Sequence, residues 1–176
     1  MTDQPSPVVG IVMGSDSDWP HVSGAASALE EFAVAYEAHV MSAHRTPDVV
    51  QQYATSAAER GLKVLIAAAG GAAHLAGVVA AHTVLPVIGI PVPTELAGGL
   101  DSLLSMVQMP GDVPVATVGA NAGGPRNAGL LAVEILAVSD ERLRAKLLAF
   151  KQRLREKVAV RDAAFQQTLR GERKRT

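Results

Sequence analysis

One pattern constrains this chain more than any other: an unbroken apolar run, a short polar loop, then a stretch with helical spacing, repeated along the sequence. Residues 8–13, 34–40, 64–68, 86–90 and 113–118 read as strands, and 17–32, 47–60, 75–81, 100–108 and 127–136 read as helices. Strands that are apolar throughout, rather than at every second residue, need cover on both faces, which implies a parallel sheet with helices on each side. Right-handed crossovers then leave few ways to connect them. With 176 residues and 48% hydrophobic content, the chain is expected to form a single α/β domain.

A sheet of this kind assigns a place to its loops. Ligands bind at the carboxyl ends of parallel strands, beside the point where strand order reverses. GSDSD (14–18), SAHRTP (42–47) and GGAAH (70–74) each follow a strand and open a helix, whose free amides and positive end favour an anion. They are expected to build one site. In SAHRTP, Thr46 and Pro47 already suffice to start a helix, threonine accepting from the first amides and proline fitting the first position. Ser42, His44 and Arg45 are therefore spare. Together they offer a hydroxyl, a titratable imidazole and a fixed cation, a set suited to a phosphate ester with a proton transfer beside it.

Ordinary explanations compete at each position. Ser15, Asp16, Ser17 and Asp18 are types that helix starts favour, and Ser17 alone reads as a cap, but four in a row exceed what one cap needs. His74 follows glycines that let backbone approach a ligand closely, though a histidine there could equally start a helix and face solvent. His82 reads as a partner of a helix C-terminus, and His21 and His39 read as structural.

Composition narrows the chemistry further. The chain has no cysteine, which excludes disulfides, thiolate nucleophiles and cysteine-based metal sites. Sixteen basic and 17 acidic residues give a formal charge of -1, so no overall positive field would hold nucleic acid or an anionic membrane. MTDQPSP has neither a basic n-region nor an apolar core, and no apolar stretch is long enough to span a bilayer, so a cytoplasmic location is expected. No phosphate-binding GxxxxGK[ST], dinucleotide GxGxxG, His-Glu-x-x-His or nucleophile elbow occurs. A receiver-type aspartate is also missing, since the third strand ends in alanines and glycine. General acid–base catalysis by histidine on a small phosphorylated molecule survives.

The motifs MGSDSD, SAHRTP, GGAAHLAG, PVIGIPV and GLDSLLSMVQMPGDVPVAT, in this order between residues 8 and 136, resemble the N5-carboxyaminoimidazole ribonucleotide mutase family of purine biosynthesis. The resemblance implies a flavodoxin-like three-layer α/β/α fold and an enzyme that moves a carboxyl group from the exocyclic nitrogen of an aminoimidazole ribonucleotide to ring carbon four, with no cofactor and no metal. Carried over by motif, Ser15, Ser17 and Asp18 would contact the ribose phosphate and the amine side of the substrate. Ser42 and Arg45 would hold the phosphate, with Ala43 between them, and His44 would be the catalytic acid–base. Gly70, Gly71, Ala72 and His74 would form the pocket for the carboxylate or carbon dioxide, with Leu75 beside it.

Residue chemistry supports such a route independently. One imidazole can protonate the exocyclic nitrogen as carbon dioxide leaves and then, left as a base, take the proton from carbon four after recarboxylation. Relatives that carboxylate the aminoimidazole directly carry His-Lys where this chain has His44-Arg45, so arginine points to the mutase branch. Direct carboxylation, a non-catalytic sugar-phosphate-binding module and a structural oligomerisation domain remain alternatives at this level. Two departures from the family pattern stand out. Ala76 replaces a proline after His74-Leu75, which predicts a looser turn, and GANAGGPRNAG (119–129) replaces a more usual Ala-Ile-Gly opening.

The carboxyl end carries its own pattern. From Ser139, read as an N-cap, to about residue 170, Leu143, Leu147, Phe150, Leu154, Val158, Phe165 and Leu169 recur at helical spacing. Thirty residues of helix span about 45 Å, against a radius of gyration of about 15 Å for a domain this size. The apolar stripe is expected to pack on a neighbouring subunit, and the resemblance implies an octamer. Residues 171–176 are expected to fray.

Overall fold

A computed structural model describes residues 6–173; the N-terminal residues 1–5 and the last three, 174–176, over which the leader and fraying expectations extend, lie outside the described residues. Five strands form one parallel sheet: β1 (Val9–Met13), β2 (Tyr36–Val40), β3 (Val64–Ala69), β4 (Val87–Pro91) and β5 (Ala116–Thr117). Their order is β2-β1-β3-β4-β5, the flavodoxin-like arrangement whose order reverses between β1 and β3. All residues of β1, β3 and β4 are buried, as their continuous apolar character predicts.

The two outer strands depart from that expectation. In β2 every residue is partly or fully exposed; Glu37 and His39 are tolerated because an edge strand has a neighbour on one side alone. Strand β5 keeps two residues of the six expected, since Pro114 has no amide to give the ladder.

The helices are α1 (Trp19–Glu31), α2 (Pro47–Ser56), α3 (Leu75–Ala81), α4 (Leu100–Val107), α5 (Gly124–Ala137) and α6 (Glu141–Arg173). A separate 3₁₀ turn, Asp16–Asp18, precedes α1, where a single helix from residue 17 was expected. On one sheet face, Val12, Leu65 and Val87 pack with Val50, Ala54, Leu75, Val79 and Met106 from α2, α3 and α4. Side chains alternate along a strand, so Ile11, Ile66 and Ile88, all fully buried, face the opposite layer. That layer holds α1 and α5, which touch where Gly129 meets Ala25 and Ala28.

Helix α5 begins three residues earlier than its spacing predicts, and the unusual 119–129 loop explains why. The Asn121 side-chain oxygen accepts from the amides of Gly123 and Gly124 at 2.9 and 3.1 Å, Pro125 fills the first turn, and Arg126 pairs with Glu31 of α1 at 2.5 Å.

The chain divides into two compact units, the first ending at Leu136 and the second starting at Ala137. The second is built on the 33-residue α6. Its cap is Asp140 rather than Ser139: Asp140 Oδ1 accepts from the amides of Arg142 and Leu143 at 2.8 and 3.1 Å. Leu154, Val158 and Phe165 of the apolar stripe are exposed. Twelve of the 16 basic residues and four of the 17 acidic ones lie in 141–176, so this segment carries a formal +8 and residues 1–140 carry -9. Among the described residues, no helix is long and apolar enough to cross a membrane.

Candidate active site

The loops after β1, β2 and β3 converge where the strand order reverses, around an open cavity of about 440 Å³. The first loop contributes Gly14, Ser15 and Asp18; the second Ser42, Ala43, His44 and Arg45; the third Ala69, Gly70, Ala72, His74 and Leu75. Ten of the twelve residues singled out in the sequence therefore share one cavity. Ser17 and Gly71 do not line it. Ser17 Oγ lies 2.8 Å from Ser15 Oγ, and the Gly71 amide is turned toward α4.

Each loop owes its shape to local bonds. Ser15 Oγ accepts from the Ser17 amide at 3.3 Å, and Asp18 Oδ2 accepts from the Ser15 amide at 3.1 Å. This reciprocal box stiffens the turn. In the second loop Thr46 does not cap α2 as its position predicts. Its hydroxyl instead accepts from the Ser42 amide at 2.9 Å and donates to the Ser42 carbonyl at 3.2 Å, closing the loop that presents His44 and Arg45. Ser42 Oγ accepts from the Arg45 amide at 3.2 Å. The third loop is tied by amides of Ala73 and His74 donating two residues back, each at 2.8 Å, and α3 follows directly with a bond from Val78 to His74.

Two contacts across the loops were not legible in the sequence. His44 Nε2 and His74 Nδ1 are 2.8 Å apart, with ring centroids 4.8 Å apart and planes at 76°. One ring donates and the other accepts, so the pair shares a proton position. The histidines are 30 residues apart, and the placement of β2 and β3 on either side of β1 brings them together. The second contact runs from Arg45 Nη2 to the Gly14 carbonyl at 2.8 Å, which anchors the exposed guanidinium against the first loop.

The electrostatics are mixed. Burial pushes the Asp18 carboxyl up, opposed by the Ser15 amide and by the charges of His21 and Arg45. The cavity thus offers a fixed cation, an acid with a raised pKa, two imidazoles, hydroxyls and glycine backbone. Among the described residues, no three His, Asp or Glu side chains converge as a ligand set for a metal. His21 lies in a separate hollow with Pro20, Pro93 and Pro125. His39 packs edge-on against Tyr53 at 5.5 Å, and the His82 amide caps α3 on Val79. None of these three lines the cavity.

Comparison with known proteins agrees with this geometry. The family model described as AIR carboxylase matches residues 8–157. An N5-carboxyaminoimidazole ribonucleotide mutase of Mycobacterium tuberculosis is 59% identical over 160 residues, covering 91% of each chain. The protein of the same name from Bacillus subtilis is 58% identical over 141 residues, covering 80% of this chain and 87% of its own. The crystal structure of Treponema denticola PurE superposes with a TM-score of 0.81 at 30% identity, covering 89% of this chain and 97% of that one. With one family model spanning most of its length and relatives at this identity along it, the chain belongs to the AIR carboxylase family.

Proposed function

We propose that this enzyme converts N5-carboxyaminoimidazole ribonucleotide to 4-carboxy-5-aminoimidazole ribonucleotide in purine biosynthesis, with His44 as the acid–base. The observation that carries the reading is the cavity itself: the His44–His74 pair stands beside Arg45 and Ser42, in a chain 59% identical to a protein bearing that mutase name. Arg45 and Ser42 hold the phosphate by charge-assisted bonds. Ser15 and Asp18 meet the ribose and amine side, with Ser17 acting through Ser15.

The chemistry follows in two steps. His44, protonated, gives its proton to the exocyclic nitrogen as the nitrogen–carbon bond of the carbamate breaks and carbon dioxide departs. Ring carbon four then attacks carbon dioxide, a carbon–carbon bond forms, and His44, now neutral, removes the proton from that carbon. Atoms balance, nothing is oxidised, and the histidine ends as it began. Gly70, Ala72, His74, Ala43 and Leu75 form the walls that keep carbon dioxide close, and Gly71 shapes the glycine loop behind them.

The apolar stripe of α6 packs on a neighbouring copy in a homo-oligomer, which we read as an octamer. The strongly charged ribonucleotides do not cross membranes unaided, which supports a cytoplasmic place of action. Direct carboxylation of the aminoimidazole is the competing reading, and the His44-Arg45 pair together with the names of the relatives favours the mutase.

A paired assay without ATP decides between them. One arm supplies the N-carboxylated ribonucleotide and the other the aminoimidazole ribonucleotide with bicarbonate, both followed by the carbon-carboxylated product. Rapid turnover in the first arm, with slow reaction at high bicarbonate in the second, is expected. Efficient use of dissolved carbon dioxide at low bicarbonate establishes the carboxylase instead, and binding without turnover in either arm establishes a sensor.

A further inference from the structure

Helix α4 lies outside the cavity, yet it sets the shape of the glycine loop. Ser102 is the one fully buried polar side chain among the described residues. Its hydroxyl accepts from the Gly71 amide at 2.9 Å and donates to the Val92 carbonyl at 2.7 Å. One turn along, Ser105 Oγ donates to the Gly71 carbonyl at 3.2 Å. Positions three apart share a helix face, so a single face of α4 grips both polar groups of Gly71. That residue has φ of 67°, a conformation glycine adopts without strain. The start of α4 is fixed in turn by Asp101, whose Oδ1 accepts from the Thr94 hydroxyl at 2.6 Å and the Ser102 amide at 2.9 Å.

The consequence for the cavity follows from peptide geometry. In a trans peptide the carbonyl and amide point in opposite directions. With the Gly71 carbonyl held from α4 by Ser105 and within the loop by the Ala73 amide at 2.8 Å, the Ala72 amide is turned away from α4. With the Gly71 amide drawn to Ser102, the Gly70 carbonyl is turned away as well. Gly70 and Ala72 both line the cavity, and the Ala72 amide has no hydrogen-bond acceptor among the described residues.

We propose that Ser102 and Ser105 are positioning residues for the reaction: they aim the Ala72 amide at an oxygen of the carbon dioxide that is released and recaptured in the cavity. This rests on the function proposed above. As the bond to carbon four forms, negative charge develops on the carbon dioxide oxygens while the ring proton passes to His44. A fixed amide donor favours that charge and needs no reorganisation to do so. Without the serines the Gly71 carbonyl keeps only the Ala73 amide and the Gly71 amide loses its acceptor, so the loop holds its aim less firmly and carbon dioxide escapes before recapture.

The test compares the unmodified enzyme with Ser102→Ala, Ser105→Ala and the double variant, each given the N-carboxylated ribonucleotide. The readout is the partition of consumed substrate between carbon-carboxylated product and free aminoimidazole ribonucleotide, corrected for spontaneous decay, alongside thermal midpoint and aminoimidazole ribonucleotide affinity. Expected are a fall in kcat of about 10-fold and a larger share of free aminoimidazole ribonucleotide, with KM and affinity within about twofold. An unchanged partition in folded variants overturns the proposal, even if stability falls. Should Ser102→Ala not fold, Ser105→Ala, half-exposed and leaving Ser102 intact, carries the test alone. If the unmodified enzyme makes no carbon-carboxylated product, the functional reading fails and takes this inference with it; if it does and both variants partition alike, only the inference fails.

Discussion

Two glycines at the contact between α1 and α5 predict opposite responses to the same substitution. A Cβ at Gly129 would run into the Ala25 carbonyl oxygen and lie 2.8 Å from Ala28 Cβ and 3.1 Å from the Ala25 carbonyl carbon. These are backbone and Cβ atoms of a packed helix, with no rotamer to yield. Restoring ordinary contact requires α1 and α5 to part by roughly 1 Å, which opens the layer over the sheet. Overpacking of this kind costs about 1–3 kcal/mol, and the gain in helix propensity on leaving glycine returns about 1 kcal/mol. Since backbone cannot relax, the cost sits at the upper end, and Gly129→Ala loses about 2 kcal/mol net.

At Gly24 the same Cβ meets the Arg126 amide nitrogen at 3.4 Å and Pro125 Cβ at 3.5 Å, ordinary contact. There the propensity gain stands almost alone, and Gly24→Ala gains about 0.5–1 kcal/mol. For a chain this long, each kcal/mol moves the thermal midpoint by about 2–4 °C. Scanning calorimetry and urea unfolding at one fixed protein concentration should place Gly129→Ala about 4–8 °C below the parent and Gly24→Ala about 1–4 °C above it. Equal shifts of one sign, or a Gly129→Ala protein as stable as the parent, would refute the close approach of α1 and α5.

Three further outcomes are expected. His44→Asn should lose about 10²–10⁴-fold in kcat while aminoimidazole ribonucleotide binding, measured by calorimetry, stays near that of the parent; full activity would remove His44 from the mechanism. Burial alone would raise Glu37, but hydrogen bonds from Arg60 at 2.6 Å and Tyr53 at 2.7 Å outweigh it and hold the carboxyl below its ordinary 4.5. A group lowered in the folded state contributes stability present above its unfolded value and lost as pH falls through the folded one. Urea midpoints of the parent should therefore drop on acidification below pH 4.5, and the drop should be shallower in Glu37→Gln; parallel curves would show that the cluster does not bear on acid stability. Finally, with +8 on the α6 segment and -9 on the rest, an oligomer built by α6 on a neighbour's first unit gains from opposite charge, and added salt screens that attraction. Light scattering should show dissociation at lower protein dilution in 1 M than in about 0.1 M salt, and salt-independent mass would assign the assembly to apolar burial alone.

Elements that local pattern controls can be read from the amino-acid order. Strands buried on both faces must be apolar throughout, so β1, β3 and β4 were readable, and α3 falls where its spacing places it. Loop position followed from the fold class, and ten of the twelve candidate residues share the cavity. Local reading fell short wherever a distant partner competes for a group. Thr46 carries every mark of a helix cap, yet its hydroxyl closes the loop on Ser42. Asp140 takes the amides that Ser139 was placed to receive.

Contacts between residues far apart in the chain come from the packing of the sheet and its helices. The meeting of His44 with His74 and the anchoring of Arg45 on Gly14 depend on how β1, β2 and β3 lie side by side. The grip of Ser102 on Gly71, 31 residues away, depends likewise on α4 packing against β4 and β5. Periodicity encodes which face a residue presents, because that depends on near neighbours along the chain. It carries no record of which two loops the sheet will set a hydrogen bond apart, and the chemistry of this site lies in those distances.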